Sequence, residues 1–150
     1  MRILSIIVFV LLTAIAALHA YWAFGGLWPA TTEQGLVAMV IGAPEWSRMP
    51  SMLLTMMVAG LIFAAGIIAL SAGGVFSLAP KWFIRIGAGV LALVFIGRGL
   101  AGYSSAFASP EKTEPFATLN FWYYSPLCLA IGGAFVVLIF ATRPSQRNTI

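Results

Sequence analysis

Long apolar stretches make up most of the chain, and ten of the twelve charged residues lie between these stretches or beyond their ends. A bilayer core of roughly 30 Å takes about 20 residues of helix, and four stretches reach that length. They cover about 3–24, 51–76, 82–102 and 121–142. Because helices satisfy their own backbone in lipid, the pattern predicts an all-α, four-transmembrane-helix bundle. We expect a single integral membrane domain over residues 1–150.

The ends of two predicted helices carry local signals. Pro50 suits the first turn of the second helix, and Gly73-Gly74 marks its end. In the fourth helix, Ser125-Pro126 is typical of an N-cap followed by a first helical residue. Alternatively, Asn120 caps a longer helix that kinks at Pro126. The sequence leaves both starts open.

A shorter element is predicted in the long connection from Gly25 to Pro50. Its residues Thr31-Thr32-Glu33-Gln34 have the spacing of a capping box and precede the apolar run 36–41. The pattern favours a short interfacial helix, and a strand is the alternative.

The basic residues predict how the chain is oriented. One side carries Arg2, Lys81, Arg85, Arg143 and Arg147. The other side carries Arg48 and Lys112, together with all four acids, Glu33, Glu45, Glu111 and Glu114. Since Lys and Arg in short loops are retained in the cytoplasm, we expect a multi-pass protein of the plasma (inner) membrane with both termini cytoplasmic and two long outer loops. A competing interpretation takes residues 1–20 as a cleaved signal peptide, although Leu18 fits the cleavage site poorly.

Composition narrows the classes of function. Hydrophobic residues make up 61% of the chain and charged residues 8%, and the mean hydropathy is +1.01. The net charge of +4 does not predict nucleic-acid binding, because the basic residues flank apolar segments and form no basic face. His19 and Cys128 are the only residues of their kinds. We therefore predict no metal, no cofactor and no intramolecular disulfide.

Arg98 is the most informative residue for function. It lies about four residues, or ~6 Å, below the outer end of the third helix. A guanidinium at the bilayer centre costs about 2.5–3.5 kcal/mol, and less near the edge, so Arg98 needs a partner or a route to water. It either snorkels to the headgroups or turns inward, where Gly97 and Gly99 allow close approach.

His19 lies at a similar depth, about five residues or ~8 Å below the outer end of the first helix. Trp22 shares its helical face. A single histidine between helices is commonly held by a hydrogen bond. The functional alternatives are that His19 binds a lipid headgroup, acts as an acid or base, or responds to the outer pH.

The Trp and Tyr residues gather at the outer side, and only Trp82 marks the inner edge. An interfacial belt would enrich them at both surfaces. The bias predicts an aromatic-lined outer cap into which Asn120, Tyr124 and Ser125 present polar groups.

Three groups of residues resemble landmarks of an uncharacterised family of small bacterial four-helix membrane proteins, a domain of unknown function. They are His19-Ala20-Tyr21-Trp22-Ala23 with Gly25-Gly26, then Arg98-Gly99, then Phe116 leading to Tyr124-Ser125-Pro126-Leu127-Cys128. The resemblance covers nearly the whole chain and implies a fold and a membrane location, but no activity. It argues against cleavage after Ala20, inside the first landmark. It also implies an acidic residue where this chain has Asn120, which puts a carboxylate partner for Arg98 in doubt.

Together these features favour a non-catalytic membrane binding or accessory module. The predicted outer-leaflet pocket is lined by His19, Trp22, Arg98, Tyr124 and Ser125, and it would bind a lipid headgroup, a quinone or a partner helix. The predicted partners are membrane lipids, and a partner membrane protein or a homodimer is compatible with them.

Two other functions stay open as alternatives. One is a membrane enzyme acting on a lipid-soluble substrate, with His19 as acid or base and Arg98 stabilising an anion. We assign no catalytic residue, because no acid lies within a span and no nucleophile constellation is present. The other is a small dimeric exporter, which is disfavoured because proton-coupled export usually needs an embedded carboxylate.

Overall fold

The computed structural model describes residues 1–42, 48–77, 79–104 and 114–141, and this part of the chain contains helices but no strand. The helices are α1 (Arg2–Ala23), α2 (Glu33–Val40), α3 (Met52–Ala72), α4 (Lys81–Ala101), α5 (Phe116–Leu119) and α6 (Ser125–Ala141). A π-helical segment, Asn120–Tyr124, joins α5 to α6 without a break. Four helices are long and apolar enough to cross a membrane, namely α1, α3, α4 and the continuous helix Phe116–Phe140. The predicted all-α, four-helix architecture is confirmed.

Helix α3 is shorter than predicted at its end and starts after its proline. Gly73 caps it, and Gly74 follows with a φ of 74°, a left-handed conformation that favours glycine. The helix therefore ends at Ala72 rather than near residue 76. At its start, the Ser51 side chain accepts a hydrogen bond from the Leu54 N–H. Ser51 is the N-cap, and Pro50 lies before the first turn instead of within it.

The fourth helix begins before either of the two predicted starts. It runs from Phe116, and Ser125 lies inside it in right-handed helical conformation. The Ser125 hydroxyl donates to the Asn120 side chain at 3.2 Å instead of capping a helix. Pro126 has no N–H, and its ring crowds the preceding turn of an α-helix. The wider π-helical turn just before it relieves that crowding, so the helix continues through the proline.

The four long helices form two antiparallel hairpins. α1 packs along α3, where a Cβ added at Gly73 would overlap the Ser5 hydroxyl near the first residues of the chain. α4 packs along α6, where a Cβ at Gly99 would lie 2.7 Å from the Leu129 side chain. Both hairpins therefore turn at the same end of the bundle. We call this the loop end, and the opposite end, with residue 1, the terminal end.

A core of mainly small and aliphatic side chains lies between the hairpins. Phe135, Leu12 and Leu138 are completely buried. The rest of the core is Val8, Ala65, Ala69, Ala72, Ile84, Ala88, Ala92 and Ile131. Lipid is as apolar as these side chains, so the helices associate through close van der Waals contact, which the alanines permit.

Helix α2 confirms the predicted short helix over the strand. Its N-cap is Thr32, whose hydroxyl accepts from the Gly35 N–H at 3.1 Å. The predicted capping-box spacing puts the cap at Thr31, one residue earlier. Glu33 is then the first helical residue, and its carboxylate accepts from the Met49 N–H at 2.8 Å. After the helix, Gly42 packs directly against the Phe116 ring.

Two adjacent glycines of α6 provide a test of this packing. A Cβ at Gly132 would lie 2.9 Å from the backbone nitrogen of Ile96, whereas a Cβ at Gly133 would meet nothing within 4 Å. We expect Gly132→Ala to destabilise the bundle by about 1–3 kcal/mol, because α4 and α6 must move apart. Gly133→Ala should be neutral or slightly stabilising, since alanine is the better helix former. Unfolding in mixed micelles, followed by circular dichroism, measures both. Equal changes in the two variants would contradict the close α4–α6 contact.

Candidate functional site

A hydrogen-bonded network joins α4 to the fourth helix at the loop end. Arg98, in the last turn of α4, donates from Nη2 to Asn120 Oδ1 at 2.9 Å. Asn120 is only 2% exposed, and its Nδ2 donates to the Gly102 carbonyl at 2.7 Å. Ser125 donates to the same Oδ1. Arg98 therefore contacts a side chain on the facing helix, as the inward-facing interpretation expects.

The chemistry of these groups fixes the orientation of the Asn120 amide. A guanidinium can only donate and a backbone carbonyl can only accept, so Oδ1 must face Arg98 and Nδ2 must face Gly102. Gly102 also keeps the network compact, because a Cβ there would overlap the Ser125 hydroxyl. Asn120 thus supplies the acceptor that an acid would have supplied, but no negative charge.

His19 is hydrogen-bonded to its own helix, α1. Its Nδ1 lies 2.8 Å from the Ile15 carbonyl, which can only accept, so Nδ1 carries a proton. In the neutral ring, Nε2 is then a hydrogen-bond acceptor. The imidazole lies 5.1 Å from the Trp22 ring, centroid to centroid. Trp22 is itself anchored, because its Nε1 donates to the Trp28 carbonyl at 2.8 Å.

His19 and Trp22 line a groove of about 260 Å³ at the loop end, between α1, α3 and the end of α2. The remaining lining residues are Val40, Ile41, Met49, Pro50, Leu54, Thr55 and Val58. The Thr55 hydroxyl donates to the Ser51 carbonyl at 3.1 Å. The groove is therefore mostly apolar, and His19 is the ionisable side chain among its lining residues.

Helix α2 lies between this groove and the hairpin formed by α4 and α6. Its last residue, Val40, and the following Ile41 line the groove. On the other side, the Tyr124 hydroxyl donates to the Met39 carbonyl at 3.2 Å, and the Phe116 ring lies 6.2 Å from the Tyr124 ring. α2 thus links the two hairpins at the loop end.

Comparison with known proteins identifies a family for the chain. Residues 12–135 match the family described as "Protein of unknown function (DUF3995)". The chain belongs to this family. The match confirms the resemblance to a family without an assigned activity, and it spans His19, the Arg98 network and Tyr124. No curated protein and no solved structure matches the chain significantly.

The five predicted site residues of this DUF3995 protein lie in three separate features at the loop end. His19 and Trp22 share the groove, Arg98 and Ser125 share the network with Asn120, and Tyr124 binds α2. The contacts of the described residues do not join His19 to Arg98. The predicted single pocket containing all five stays a prediction.

The lining of the groove includes residues that sequence reasoning missed. Met49 and Thr55 come from the approach to α3 and its first turn, and nothing in their local sequence distinguishes them from ordinary helix-start residues. The predicted aromatic lining is also thinner than expected. Trp122 and Tyr123 are 67% and 64% exposed, and Trp46 lies outside the described residues.

The network predicts a stabilising role for Asn120. Asn120→Ala removes hydrogen bonds to Arg98, Gly102 and Ser125, so we expect a loss of about 1–3 kcal/mol in the free energy of unfolding. Thr118→Ala, at an exposed position of α5, is the matched control and should change little. Unfolding in mixed micelles measures both, and a similar stability of the two variants would show that the network contributes nothing.

The link through α2 makes a separate prediction about dynamics. Tyr124→Phe removes only the hydroxyl that binds Met39, so α2 should open more often and its amides should exchange up to about tenfold faster. Hydrogen–deuterium exchange over residues 33–42 measures this change. Tyr123→Phe, which alters the exposed neighbour, should leave exchange unchanged. Equal exchange in both variants would mean that α2 is held by other contacts.

Proposed function

We propose that the protein is a non-catalytic membrane module that binds the polar head of a lipid-soluble amphiphile in the groove lined by His19 and Trp22. The observation that carries the proposal is the fixed imidazole. Because Nδ1–H is committed to the Ile15 carbonyl, Nε2 is the ring atom left to recognise a ligand. A preorganised hydrogen-bonding group in an otherwise apolar groove is the usual design of a small-molecule site.

The size of the groove limits what it can hold. Sites for drug-sized ligands are about 300–1,000 Å³, so a groove of about 260 Å³ suits one ring or one headgroup. Apolar residues such as Leu54 and Val58 would contact the adjoining acyl or isoprenoid chain. The shared chemistry of a quinone ring and a lipid headgroup is an oxygen-bearing polar end on an apolar chain. A quinone or quinol and a phospholipid are therefore the two classes of ligand to compare.

Hydrogen-bond chemistry gives the expected ligand orientation. Neutral His19 would accept from a hydroxyl or ammonium donor at Nε2, whereas the protonated ring would donate to a carbonyl or phosphate oxygen. Nε2 can take either role with the ring in the same position, because Nδ1 carries a proton in both forms of the imidazole.

The enzyme alternative has less support. A catalytic base acts together with a second reacting group, and the described residues that line the groove include no ionisable side chain besides His19. Glu33 binds the Met49 N–H at the edge of the groove, and Glu45 lies outside the described residues. Nothing in the described part of the chain favours the exporter.

We place the protein in the bacterial plasma membrane with both termini cytoplasmic, on the strength of the basic-residue count. In that orientation the groove opens at the outer leaflet. Membrane lipids are then the partners, and a second membrane protein or a second copy of the chain would use other faces.

Binding by the purified full chain tests the proposal. Native mass spectrometry with decylubiquinone and, separately, with phosphatidylethanolamine identifies which amphiphile binds. His19→Phe keeps an aromatic ring beside Trp22 but removes Nε2, so we expect at least about tenfold weaker binding of the preferred probe. Val58→Trp leaves His19 unchanged but fills the groove, so it should abolish binding.

Tyr21→Phe is the matched control, since it changes an exposed residue of the same helix and should bind like wild type. Binding of neither probe, or equal binding by His19→Phe and wild type, would overturn the proposal. A stoichiometric protein in place of a small molecule would show that a partner helix fills the groove instead.

A further inference from the structure

A second polar feature lies at the terminal end of the bundle, on the opposite side of the membrane from the His19 groove. Arg85 is in the second turn of α4 and lines a shallow groove of about 370 Å³ between α4 and the end of α6. The other lining residues are Trp82, Ile86, Gly89 and Ile139. The feature shares no residue with the proposed amphiphile site and does not depend on it.

Arg85 is incompletely satisfied within the described part of the chain. The residue is partly buried, and its Nε is fully buried without a hydrogen-bond partner among the described residues. A buried, unpaired donor of a charged group costs more than a neutral one. Because Nε is itself out of reach of a ligand, an acceptor at the groove would pair with the other guanidinium nitrogens and offset the cost through the charge.

The distribution of charge shows what kind of acceptor is needed. All four acids belong to the two loop-end connections. Arg85 lies 16 positions before the end of α4 at Ala101, which corresponds to ~24 Å along the helix axis. Among the described residues, the acidic side chains are Glu33 and Glu114, and neither can reach across that distance. At the terminal end, the charged side chains of the described residues are the cations Arg2, Lys81 and Arg85.

The shape and the aromatic side chains of the groove indicate that the anion is part of a lipid. Trp82 is 64% exposed at the start of α4, where an indole sits at headgroup level. Gly89 is one turn beyond Arg85, and a Cβ there would meet nothing within 4 Å. The groove therefore continues along the membrane-facing side of the bundle, below the guanidinium, where an acyl chain would lie.

We propose that Arg85, Trp82 and Gly89 form a binding site for an anionic phospholipid, in which the guanidinium of Arg85 binds the lipid phosphate. Arg85 supplies a planar set of donors that suits phosphate oxygens. Lys81, exposed one turn earlier, adds positive charge at the headgroup. Basic residues between helices at a membrane surface are a recognised arrangement for anionic lipids.

Native mass spectrometry of the full chain in detergent tests the site, with phosphatidylglycerol as the probe. Arg85→Gln should weaken binding about fivefold, the loss expected for removing one basic contact with an anionic lipid. Gly89→Leu keeps the charge but fills the groove, so it should weaken binding to a similar extent. Gly133→Leu, which adds the same bulk at an open position of α6 outside the groove, should bind like wild type.

Two further probes distinguish the binding of a lipid from the binding of a free anion. Phosphatidylcholine, whose phosphate is balanced by its own choline, should bind more weakly than phosphatidylglycerol. Millimolar inorganic phosphate should not displace phosphatidylglycerol, because it makes no contact along the groove. Equal phosphatidylglycerol binding by wild type and Arg85→Gln would show that Arg85 is satisfied within the bundle and would overturn the proposal. Displacement by inorganic phosphate, or no effect of Gly89→Leu, would overturn the lipid assignment.

Discussion

Close contact between helix backbones is the constraint on which this structure depends. In lipid, burying an apolar side chain between helices gains little, because the tails that it leaves are equally apolar. The bundle therefore depends on short distances, as between Gly132 and Ile96 or between Gly73 and Ser5. Glycines whose Cβ would meet nothing, such as Gly89 and Gly133, lie outside these contacts. The same residue type thus has opposite roles on the two faces of a helix.

The loop end shows how the bundle accommodates polar groups near the membrane. Asn120 is the central residue, because its amide accepts from Arg98 and Ser125 and donates to the Gly102 carbonyl. The π-helical segment brings Asn120 and Ser125 together across five positions and also admits Pro126 into the helix. One local distortion therefore serves both the continuity of the fourth helix and the bonding of a guanidinium.

The two ends of the bundle differ in their chemistry. At the loop end, α2 contacts both hairpins and borders a mostly apolar groove with one imidazole. At the terminal end, the charged side chains of the described residues are cations, and the Arg85 groove lies between α4 and the end of α6. Our two proposals follow this difference: a compact oxygen-bearing head for the first groove and a lipid phosphate for the second.

The sequence by itself determined the fold class, since helices of about 20 apolar residues are among the few structures that satisfy their backbone in a bilayer. It also indicated α2, and it singled out Arg98 from its cost in lipid and His19 from its similar depth in the first helix. Only the tertiary structure decided that His19 shares a groove with Met49 and Thr55, and that Arg98 binds Asn120. Helix pairing and rotation depend on contacts between distant residues, which local patterns do not encode. For the same reason Ser125-Pro126 resembled a helix start, although the preceding π-helical turn carries the helix through it.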